Sequence, residues 1–126
     1  MTCWEQLGGV LGWEQHDPEL LAEHFLTVAS YNLQHPAQFT EEAMDGLRAA
    51  LIERLDHGLP VPEIRRRMGT KFEGSARVYR SKSDRHPVLR RWPVTIADVY
   101  TPDRPEGAAQ RVRDWAASIR RELGEP

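Results

Sequence analysis

Apolar side chains in this chain recur at three- and four-residue intervals, and each run lies between a helix start signal and a stop signal, a pairing that confines the fold to helices. Asp17-Pro18-Glu19 supplies an N-cap carboxylate, a proline at the first helical position and an acid in the first turn. Leu20, Leu21, His24, Phe25, Val28, Tyr31 and His35 then keep helical spacing, and Pro36 disfavours helical geometry at His35. One helix over residues 17–35 is predicted. Thr40 caps the next, whose core stripe is Met44, Leu47, Leu51 and Leu55, and Gly58 stops it.

Weaker signals fill the remainder. Trp4, Leu7, Val10 and Leu11 give Trp4–Gln15 a helical spacing diluted by Gly8, Gly9 and Gly12, through close packing or through fraying. Pro62 opens a short helix through Met68, closed by Gly69. Thr95-Ile96-Ala97-Asp98 matches a capping box, and Asp103-Arg104-Pro105-Glu106 starts a last helix with core residues Ala108, Val112, Trp115, Ile119 and Leu123 before Gly124. Between them, residues 70–93 are broken by glycine, serine and proline, with Ala76–Arg80 as a short extended strip. The expected fold is all-α: one domain over residues 1–126, three main helices with short ones around them, and an irregular basic crossover at about residues 70–93.

Charge is segregated. Residues 1–64 carry eleven acids and two bases, residues 65–91 ten bases and two acids, and the whole sums to −2. The basic block either lies against the acidic helices, within one subunit or across a dimer, or offers an anion or nucleic-acid surface through Arg65, Arg66, Arg67, Arg77 and Arg80. The acidic balance and the lack of a recognition-helix pattern speak against nucleic acid. The sole cysteine, Cys3, allows no intrachain disulfide and suits a reducing compartment. Met1–Gln15 has no cationic start or continuous apolar run, and no stretch approaches the roughly 20 apolar residues of a membrane span. A cytoplasmic protein is expected.

The chemistry concentrates on one stripe. Eleven residues from His24 to His35 turn through about 1100°, so both imidazoles share a face with Tyr31. His24, Thr27, Tyr31 and His35 are the candidate ligand-binding residues, walled by Trp4, Trp13 or Trp115. A buried, hydrogen-bonded set of core side chains would leave the same pattern. His24 and His35 stand about 16 Å apart along a straight helix and cannot share one metal ion without other ligands such as His57 or Cys3. No metal or cofactor is expected. The stripe supports a binding module for a small organic ligand or a protein partner, expected as a homodimer. An enzyme, metal-assisted or acid–base, centred on the same residues is the rival.

His24, Leu26-Thr27-Val28, Tyr31 and Gln34-His35-Pro36, preceded by Cys3-Trp4 and followed by Thr95–Val99 and Trp115-Ala116, form a pattern that resembles a bacterial domain-of-unknown-function family, number 5946. Its members often carry a Cys-x-x-Cys pair ahead of the Cys-Trp segment, absent from the sequence here, and Asp where Ala29 stands. The resemblance implies an architecture and a focal helix. It implies no activity.

Overall fold

The computed structural model describes residues 1–71, 78–88, 90–100 and 104–124, with residues 69–71 described by backbone only. Among them run seven α-helices: α1 (Cys3–Trp13), α2 (Pro18–Ala22), α3 (His24–Gln34), α4 (Glu41–His57), α5 (Val61–Lys71), α6 (Ile96–Val99) and α7 (Ala108–Leu123). The fold is all-α, as the periodicity predicts, and no described helix is long and apolar enough to cross a membrane. Two compact units divide the chain: Met1–Gln34 with Arg91–Pro126, and His35–Arg90.

In the first unit α3 and α6 pack on α7, and α1 packs on α6. Val112, Trp115, Ala116 and Ile119 of α7 are fully buried, together with Ile96 and Val99 of α6. Each of the large ones contributes roughly 1.5–3 kcal/mol by leaving water. The helix begins later than Asp103–Glu106 suggests, because the carbonyls of Arg104 and Glu106 accept from the Arg111 guanidinium (2.6 and 2.7 Å) instead of joining a helical ladder. Asp103 lies outside the described residues. Gly107, at φ +79°, makes the turn into α7.

Thr2 and Glu5 close a reciprocal capping box over α1. Its glycines divide by role. A Cβ on Gly9 would stand 2.5 Å from the ring of Tyr100, which stacks on Trp13 at 5.2 Å, so this glycine permits close approach. Gly8 and Gly12 face open space. Gly8→Ala is expected to raise stability by about 1 kcal/mol through helix propensity, and Gly9→Ala to lower it by about 1–2 kcal/mol through overpacking. Thermal denaturation of the two variants checks the contrast.

The single helix expected over residues 17–35 is two helices, and this corrects the sequence reading. Glu23, at φ −98° and ψ 15°, ends α2 and resets the phase. α3 buries Leu26, Thr27, Ala29, Ser30, Tyr31 and Leu33, and in α2 Leu20 is buried whereas Leu21 is exposed. Asp17 caps α2 through Leu20 N–H (3.1 Å), as its sequence position predicts.

In the second unit Thr40 accepts from Ala43 N–H at the start of α4, and Gly58 closes that helix at φ +65°. Ala43, Met44, Ala50 and Leu51 are buried on α4, and Ile64 on α5, which runs beyond Gly69 to Lys71 instead of stopping there. Thr40 N–H donates to the Val78 carbonyl (2.9 Å) and Arg80 N–H to that of Gln38 (2.8 Å), clipping the basic segment onto the entrance of α4. Of the extended strip expected at residues 76–80, the antiparallel bridge Phe39–Tyr79 is the described part, and residues 76 and 77 lie outside the described residues.

Candidate functional site

The stripe residues meet different fates. Thr27 is fully buried, its hydroxyl donating to the Glu23 carbonyl at 3.3 Å. Tyr31 is buried at 7 % exposure beneath Trp4, their ring centroids 6.2 Å apart and tilted by 59°. Burial pushes the Tyr31 phenol above its ordinary value, and the neighbouring Cys3 thiol adds to the shift. His35 follows the end of α3, at φ −130° and ψ 64°, and belongs to the second unit. The structure therefore brings His24, Thr27 and Tyr31 onto one helix, and His35 does not continue that helix. Trp115 is buried in the core, and Trp13 is stacked on Tyr100.

His24 remains at the surface, its side chain 42 % exposed, and its Nδ1 stands 2.8 and 3.0 Å from the two carboxylate oxygens of Glu14. The Glu14 side chain is only 3 % exposed. A carboxylate is almost never so buried without a partner. Sequence reasoning missed Glu14 because its partner lies ten residues away across a helix break. A signal was present: Leu7, Val10 and Glu14 keep three-and-four spacing, so an acid stands where α1 would present its next apolar residue. The two side-chain contacts tie Trp4 at the start of α1 to Tyr31 near the end of α3, and Glu14 just after α1 to His24 at the start of α3.

A second polar tie sits deeper. The fully buried Trp115 donates its indole N–H to Gln34 Oε1 (3.1 Å), and Gln34 Nε2 donates to the Val94 carbonyl (2.7 Å). One amide thus connects α7, α3 and the approach to α6. Thr95 N–H, next in the chain, donates to Asp98 Oδ2 (2.9 Å), the capping contact that the sequence anticipates.

A family model, "Family of unknown function (DUF5946)", matches residues 1–124. The chain belongs to the DUF5946 family. No curated protein and no solved structure matches it. In this DUF5946 chain the pattern residues Gln34 and Trp115 thus meet in one buried hydrogen bond, and Trp4 and Tyr31 in one ring contact. Ser30, in the same helix, has a fully buried hydroxyl with no hydrogen-bond partner among the described residues. Ser30→Ala should therefore raise stability by about 1 kcal/mol by removing an unsatisfied group, read as a shift in urea midpoint.

The basic block is locally engaged. Arg66 and Arg67 both turn to Glu63 on α5, and Arg66 holds the Glu63 carboxyl far below its usual range, at about 2. That contribution is present above the ordinary carboxylate range and is lost as pH falls toward 2. Arg80 donates from Nε to the Phe39 carbonyl (2.7 Å) and stands 3.5 and 3.7 Å from Asp84 and Glu41. Arg65 is exposed, and Arg77 lies outside the described residues. The recess beside Arg80 is lined by Arg48, His86, Glu41 and Asp84 as well, a mixture of signs. Among the described residues no three His, Cys, Asp or Glu side chains converge as a metal site.

Proposed function

We propose that this protein is an interaction module that binds a protein partner through the outer surface of α1 and the start of α3. Trp4 carries the reading. It is 71 % exposed although its ring lies against the buried Tyr31, so a large apolar side chain stands at the surface with one ring contact beneath it. Burying such a ring in a partner's pocket recovers its apolar area at little cost in side-chain freedom, which is why tryptophan dominates interface hot spots. Met1 and Cys3 extend the exposed surface around it, and His24 offers a polar contact at the far end of α3. Thr27 and Tyr31 form the packed floor of this face rather than the walls of a ligand cavity. The partner is another protein or a second copy of this chain, and an aqueous, reducing compartment suits the exposed Cys3 thiol.

Affinity capture from a lysate of the encoding organism, with the wild type beside Trp4→Ala, tests the reading. Specific partners are expected on the wild type and lost from the variant, with affinity weakened about 30-fold, the scale of a 2 kcal/mol hot spot. A wild-type sedimentation coefficient that rises with concentration, and a Trp4→Ala coefficient that does not, would identify the partner as a second copy. Identical capture and sedimentation for both proteins would reject the proposal.

A further inference from the structure

We propose that the Glu14–His24 pair is a nucleophilic, proton-accepting site for acyl transfer, acting through His24 Nε2. The inference is independent of the Trp4 surface. Three features of the pair carry it. First, the carboxylate is buried and both of its oxygens lie within 3.0 Å of a single nitrogen, Nδ1, so it serves as a fixed acceptor for that nitrogen's proton. Second, an Nδ1–H donated to the carboxylate leaves the neutral ring with its lone pair on Nε2, the tautomer that a nucleophile or general base requires. Third, the imidazole is 42 % exposed, so that a substrate can reach it, whereas the orienting carboxylate is out of reach of solvent.

The geometry also limits the substrate class. Arg113 is committed to Glu19 and Gln110. Among the described residues no third side chain donates a hydrogen bond to the pair. A substrate must then supply its own driving force, so the class is activated acyl compounds with good leaving groups: aryl esters, thioesters or acyl phosphates. Nε2 attacks the carbonyl carbon, the bond to the leaving group breaks, and the leaving group departs with the electron pair. The resulting acylimidazolium keeps its Nδ1 proton on Glu14. Water then attacks the acyl carbon, the carbon–Nε2 bond breaks, the carboxylic acid and one proton are released, and the neutral Nδ1–H tautomer returns.

p-Nitrophenyl acetate is the probe. The purified full chain should release p-nitrophenolate at least tenfold faster than expected from its other four histidines reacting as free imidazole. His24→Asn places an amide donor where Nδ1 stood, so that Glu14 keeps a partner, and should remove the excess rate. Glu14→Gln should lower it at least tenfold, because a neutral amide no longer stabilises the positive charge that the ring takes on when Nε2 is acylated. Peptide mapping of protein quenched during turnover should find the acetyl group on His24. An excess rate that survives His24→Asn, a rate insensitive to Glu14→Gln, or acetyl groups spread evenly over the histidines would each overturn the proposal. Should His24→Asn fail to fold, the mapping of wild-type protein still decides.

Discussion

Replacing Gln34 with leucine is expected to cost about 2–4 kcal/mol, although leucine matches the apolar surroundings better. The reason is the double duty of one amide. Its oxygen accepts from the indole N–H of Trp115, a residue with no exposed surface, and its nitrogen donates to the Val94 carbonyl. Leucine satisfies neither, and a buried polar group left unpaired costs about 1–3 kcal/mol. In a chain of this size the loss corresponds to a fall in Tm of about 10 °C. Trp115→Phe in the Gln34→Leu background supplies the cycle: it removes the orphaned N–H, so the two changes together should cost less than the sum of the single variants by about 1 kcal/mol or more. A Gln34→Leu protein melting within about 2 °C of the wild type would show that water replaces the amide.

Gln34 also shows what the sequence could and could not disclose. Local signals were legible where a residue acts on its own neighbourhood. Thr40, Gly58 and Asp17 cap or stop the helices as their chemistry demands, and the stripe Val112–Trp115–Ile119 is the buried face of α7. Glu23 was not legible, because a single non-helical residue leaves the three-and-four spacing of Leu20, Leu21, His24 and Phe25 intact on paper while widening the set of α3 side chains that face the core. Its effect is visible in Ala29 and Ser30, outside the predicted stripe and found in the core beside Tyr31, which was on it. The candidate site was half legible for the same reason. His24 and Tyr31 were identified from their helix, but their partners Glu14 and Trp4 come from another element, and periodicity along one helix carries no information about which side chain faces it from the next. Only the acid at the end of the Leu7–Val10 stripe hinted at such a partner.

His24→Leu should destabilise the first unit by about 3 kcal/mol at neutral pH, more than truncation of a half-exposed side chain ordinarily does. Leucine itself is well tolerated at a helix surface. The penalty falls on Glu14, whose carboxylate stays buried while losing the imidazole that both of its oxygens contact. A second substitution separates this cause from lost packing. The double variant Glu14→Leu with His24→Leu removes both hydrogen-bonding partners together and should come back to within about 1 kcal/mol of the wild type, because exchanging both partners for apolar side chains leaves neither unsatisfied. Urea unfolding of the wild type and the two variants at pH 7 gives all the comparisons. If His24→Leu and the double variant are equally unstable, the imidazole supports the fold by its shape. If both match the wild type, Glu14 tolerates burial without a partner, and the pair exists for what Nε2 does at the surface.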